Sequence, residues 1–126
     1  MLCLMLLLAS AQDDPKVGQV KVDQAIARGL EFLVKDGTSP PCTKWAIENS
    51  HELLLFTFIH AGMSQTDPYF KKLLSEMLAG ELKRTYSVSL QAMVLFDLDP
   101  AAYQGRIAQC AQFLADNQCA NGQWSY

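Results

Sequence analysis

Apolar residues recur along this chain in two patterns that take turns. From about residue 22 to 35, Ile26, Gly29, Leu30 and Leu33 return at three- and four-residue spacing among charged neighbours, the single stripe of an amphipathic helix. From about 46 to 61 the pattern changes, and Leu53, Leu54, Leu55, Phe56, Phe58 and Ile59 point in every direction around a helical wheel. Such a surface predicts a helix buried on all sides. The stripe returns over 68–79, where Phe70, Leu73, Leu74 and Met77 alternate with Lys71, Lys72 and Glu76. The all-round pattern returns over 85–98 with Leu90, Met93, Val94, Leu95 and Phe96, and a last stripe, Ile107, Cys110, Ala111 and Leu114, spans about 101–117. Five helices and no sheet are expected. A strand over 53–59 is the competing choice for so short an apolar run, but the flanking helical lengths and the Gly62 stop favour a helix.

The residues between these runs punctuate them. Asp36-Gly37 is a helix stop, and Pro40-Pro41 prevents an immediate restart. Thr66-Asp67-Pro68 supplies an N-cap with proline in the first turn, where its missing N–H costs nothing. Gly80 ends the third helix, and Asp99-Pro100 caps the fifth.

The order of helix types, amphipathic then buried, repeats with a register. Ile26, Gly29, Leu30 and Leu33 correspond to Phe70, Leu73, Leu74 and Met77 at a spacing of 44, and these to Ile107, Cys110, Ala111 and Leu114 at 37. Leu53 and Phe56 map onto Leu90 and Met93 at the same 37. Periods between about 20 and 50 residues mark helical repeat arrays, in which each pair of helices buries its apolar face against the next.

The segment 112–126 is a turn that folds back. Asn121-Gly122 favours positive φ, Trp124 is too large and apolar to stand free, and Gln118 has an amide placed to satisfy carbonyls freed at the helix end. The expectation is a clamp of helix end, tight turn and indole. Phe113-Leu114, Gln118, Gly122 and Trp124 resemble the later half of the QW motif of the prenyltransferase and squalene oxidase repeat family, found in squalene–hopene cyclases. Gln109 and Cys110 stand where the motif has a basic residue and a glycine. Arg28, Gly29 and Phe32 match the front half instead, with Gly37 and Pro41 at the positions of its later glutamine and glycine. The resemblance covers about 22–126. It implies an all-α fold, a partial α/α toroid of alternating inner and outer helices, with about two and a half helix-pair repeats and an incomplete C-terminal end.

Composition narrows the remaining choices. A chain of 126 residues, 50% hydrophobic and 18% charged, describes one modest globular core, and a net charge of -3 carries no basic footprint for nucleic acid. Residues 1–11, MLCLMLLLASA, end in small residues suited to signal-peptidase cleavage, although they lack a basic start and fall short of the about 15–30 residues of a complete leader. A buried apolar N-terminus is the alternative, and the run is well below the ~18 residues that span a bilayer. The chain then divides into a truncated leader over 1–11, a polar linker over 12–21 and the repeat domain over 22–126. Cleavage implies export to a periplasmic or extracellular site, and its absence a cytoplasmic one. Removal of the leader leaves Cys42, Cys110 and Cys119; Cys110 suits a buried stripe, and Cys42 and Cys119 lie in loops from which a bridge is possible.

Candidate chemistry is sparse. Asp97 and Asp99, in Asp97-Leu98-Asp99-Pro100, resemble part of the Asp-x-Asp-Asp motif with which squalene–hopene cyclases protonate their substrate, with Pro100 in place of the last aspartate. That chemistry needs a carboxylic acid kept protonated by its neighbours, whereas a helix end followed by an N-cap explains the pair more simply. His51, Glu52, His60 and Cys42 do not assemble a metal-ligand pattern, and no cofactor is expected. Inner helices rich in Leu, Phe and Met, with Tyr86, suit either a packed core or a cavity for a hydrophobic ligand such as an isoprenoid. The functional expectation is an exported, non-catalytic repeat scaffold or binding module, its partner a hydrophobic ligand or another protein, with self-association through the open repeat edge. The alternative is a fragment of a terpene cyclase-like enzyme whose catalytic acid lies outside this chain.

Overall fold

A computed structural model describes residues 18–37 and 51–124. The expectations for the leader, residues 12–17 of the linker, Pro40-Pro41, Cys42 and the start of the second helix lie outside those residues, whereas 19–21, expected as the end of the linker, are already helical. Five helices run in order: α1 (Gln19–Gly37), α2 (His51–His60), α3 (Pro68–Ala79), α4 (Thr85–Leu98) and α5 (Gln104–Asp116). The protein is all-α; the one β-type pairing among the described residues is an isolated antiparallel bridge between Gln118 and Trp124.

Local chemistry sets the helix ends. Gly62 at φ +77° closes α2, with its N–H donating to Ile59 O at 3.1 Å and the Met63 N–H to Phe58 O at 2.9 Å. This is the Schellman ending, which needs a left-handed residue that glycine adopts without strain. Asp67 Oδ1 accepts from the N–H groups of Tyr69 at 2.7 Å and Phe70 at 3.3 Å, with Pro68 opening α3. Asp99 behaves differently from the sequence expectation. Its Oδ1 accepts from Ala101 and Ala102 N–H, both at 3.0 Å, and so caps a separate turn, and α5 begins only at Gln104. Tyr103, at φ -103° and ψ 12°, interrupts helical geometry between the two.

Sequence neighbours pack together, and so does one pair two apart. α2 contacts α4, α2 also contacts α3, and α4 contacts α5. His51 Nε2 at the start of α2 lies 3.5 Å from Glu76 Oε2 near the end of α3, which fixes those two as antiparallel. His60 Nε2 lies 3.3 Å from Asp97 Oδ2, so α2 and α4, packed side by side and meeting at their C-terminal ends, run parallel. The core is one cluster, Leu55, Phe58, Phe70, Leu73, Met77, Val94 and Leu95, drawn from α2, α3 and α4. Burying each such side chain is worth about 1.5–3 kcal/mol, so this cluster is the main source of stability. α1 adds Leu30, Leu33 and Val34 to its margin.

Two expectations of burial are corrected. Ile26 and Gly29 of α1 and Ala111 of α5 are exposed, because each stripe meets its neighbour through fewer residues than the wheel predicts. α2 and α4 are not covered on all sides: Leu53, Tyr86, Met93 and Phe96 are exposed, Met93 by 50% and Phe96 by 63%. α4 thus has neighbours on one side and an open apolar face on the other, whereas on α2 Leu53 alone of the apolar residues is exposed.

Candidate functional site

The open face has a groove at its centre. Ala92, Met93, Phe96 and Asp97 of α4 and Ile107 of α5 line a cleft of about 360 Å³ whose walls are almost wholly apolar. Helical geometry places these α4 residues together, since positions three and four apart share a face. Asp97 closes one end and is held by His60 from α2. His60 in turn stands edge-on to Phe56, with ring centroids 4.3 Å apart, an arrangement that suits the aromatic quadrupole. A second, more polar cleft of about 350 Å³ lies between α3 and the turn before α5, lined by Phe70, Lys71, Leu74 and Tyr103 among others.

The two candidate catalytic carboxylates do not converge. Asp97 faces His60 across the α2–α4 junction, and Asp99 is turned toward its own capping bonds. Among the described residues no three of His, Cys, Asp or Glu come together as a metal site would require.

The QW-like residues separate into two places. Arg28, Gly29 and Phe32 lie exposed on α1. Phe113, Gln118, Gly122 and Trp124 share the C-terminal turn, where Gly122 sits at φ +84° and the Gln118 amide donates to Gly122 O at 3.0 Å. The Trp124 indole N–H donates to Leu114 O at 2.8 Å, so it satisfies one of the carbonyls left over at the end of α5. Trp124 remains 48% exposed, which makes it a strap across the helix end rather than a buried lid.

One polar network has no counterpart in the sequence reading. Gln91, buried in the otherwise apolar α4, donates through Nε2 to Met77 O at 3.1 Å and accepts through Oε1 from Arg106 Nε at 3.0 Å and from the Cys110 thiol at 3.4 Å. Arg106 Nη2 also donates to Gly80 O at 2.6 Å. The end of α3 is thus tied to α4 and α5. Burial pushes the Cys110 thiol above its ordinary pKa, against the opposing pull of the Arg106 charge. A glutamine at a buried position of an apolar helix was the available signal. The His60–Asp97 pair joins two residues 37 apart, the same spacing that relates Leu53 and Phe56 to Leu90 and Met93 in the sequence.

Comparison with protein-family models, with curated proteins and with solved structures finds no match to this chain. No helix among the described residues is long and apolar enough to cross a membrane.

Proposed function

We propose that this chain is a helical-repeat scaffold or binding module of the squalene cyclase and prenyltransferase repeat type, a partial α/α toroid that acts through surface rather than chemistry. The observation that carries this reading is the parallel contact of α2 with α4, closed by His60 and Asp97 at equivalent register positions, with an apolar groove continuing beyond it. Skip-one packing with antiparallel partners is what an array of inner and outer helices requires. The C-terminal strap of Gln118, Gly122 and Trp124 supports the same family reading. Export, self-association and an apolar ligand or protein partner belong to this proposal.

The alternative, a terpene cyclase-like fragment, rests on Asp97 beside an apolar cleft. Incubation of the recombinant chain with squalene, followed by chromatography and mass spectrometry, separates the two. The scaffold reading expects no cyclised product. Cyclisation that disappears in Asp97→Asn would overturn it.

A further inference from the structure

The turn that carries the strap is built from a reactive pair of residues. Asn121 and Gly122 are both exposed, and Gly122 sits at φ +84° with open space where a Cβ would stand. No side chain at 122 therefore obstructs the approach of its backbone nitrogen to the Asn121 side-chain amide. The closed turn holds both groups away from that reaction. The Gly122 N–H donates to Cys119 O at 2.8 Å, Asn121 Oδ1 accepts from the Gln123 N–H at 3.1 Å, and Asn121 Nδ2 donates to Gln123 Oε1 at 3.1 Å. The Cys119 N–H bond to Gln123 O, the Gln118 amide bond to Gly122 O and the Trp124 indole bond to Leu114 O keep the turn shut. These bonds lie in exposed chain beyond α5, and such bonds open at low free energy.

We propose that Asn121 is a site of spontaneous deamidation controlled by the strap, which protects it while closed and cannot reclose once the reaction has occurred. The Gly122 nitrogen attacks Asn121 Cγ, and the side-chain nitrogen leaves as ammonia, taking the Gly122 amide proton. Water then opens the resulting five-membered imide at one of its two carbonyls. Opening at Cγ leaves an aspartate at position 121, whose carboxylate cannot donate to Gln123 Oε1. Opening at the backbone carbonyl leaves an isoaspartate, which routes the main chain through the side chain and lengthens it by one carbon. The bonds from Gln118 to Gly122 and from Cys119 to Gln123 then lose their register, and Trp124 is carried off Leu114 O. The strap is thereby a latch that opens once. All the reacting groups lie in the turn, so the chemistry is independent of the helical-repeat reading above.

Peptide mapping by mass spectrometry of the whole chain, incubated at slightly alkaline pH, tests the proposal, with a synthetic peptide of residues 117–124 as the open reference. Asn121 should show the amide-to-acid mass change several-fold more slowly in the chain than in the peptide. Trp124→Ala and Gln118→Ala each remove one bond of the strap at an exposed position, and each should bring the rate at Asn121 towards that of the peptide. Circular dichroism should show both variants as helical as the parent. Asn117, exposed but followed by Gln118, should stay intact over the same period. In the modified chain the Trp124 indole proton should exchange with solvent faster than in the unmodified one. An Asn121 that remains unreacted in both variants overturns the proposal, as does a parent rate equal to that of the peptide and indifferent to both substitutions. Equal reaction at Asn117 overturns it, because exposure alone would then set the rate. An indole proton that exchanges no faster after modification overturns the latch, since the strap would have reclosed.

Discussion

At the scale of single residues, the least expected member of the fold is Gln91. Its side chain is buried and satisfies a carbonyl of α3 while accepting from two groups of α5. Gln91→Leu keeps the volume close and removes all three bonds, leaving the Met77 carbonyl with only the Gly80 N–H. Loss of a satisfied buried group costs about 1–3 kcal/mol, so the urea midpoint should fall without a change in slope. An unchanged midpoint would show that the network orders the helices without stabilising them. A glutamine in an apolar helix was the one signal the sequence carried; its partners, the carbonyls of Met77 and Gly80, Arg106 and the Cys110 thiol, come from other elements and no local pattern names them. The sequence did show that Gln118 and Trp124 fold back on the end of α5 through the Asn121-Gly122 turn, but the expectation that the indole would be buried there is corrected, since Trp124 is bonded to Leu114 O and still half exposed.

At the scale of elements, periodicity and capping located what local physics controls. α3 and α4 occupy the residues that their stripes and stops define, with Asp67, Gly62 and Gly80 acting as the sequence predicts. α5 starts later because Asp99 caps a turn of its own, a competition between two starts three residues apart that periodicity does not resolve. The open face of α4 was likewise hidden, since a wheel records which sides are apolar and not which sides have neighbours. Asp67→Ala tests the capping account directly. It removes both side-chain bonds to the first turn of α3 and should lower stability by about 1 kcal/mol, read as a shift in the thermal midpoint. Asp99→Ala frees two amides in the same way, but its turn is exposed to water and the loss should be smaller. Equal losses from the two would mean that the turn before α5 is as tightly coupled to the core as α3 itself.

At the scale of the whole molecule, stability should be graded, because the core cluster is drawn from α2, α3 and α4 alone. α1 reaches it through Leu30, Leu33 and Val34, while Val20, Ile26 and Phe32 remain exposed. α5 is better joined, by Cys110, Ile107 and the Arg106 bonds to Gln91 and Gly80. Regions with few buried apolar contacts open at lower free energy than the core. Amide hydrogen exchange should therefore be slowest around Leu55, Phe58, Val94 and Leu95, intermediate in α5, and fastest in the first half of α1 and in the strap after Asn117. Protection of α1 equal to that of α4 would refute the graded core, since it would require contacts that its exposed stripe does not make.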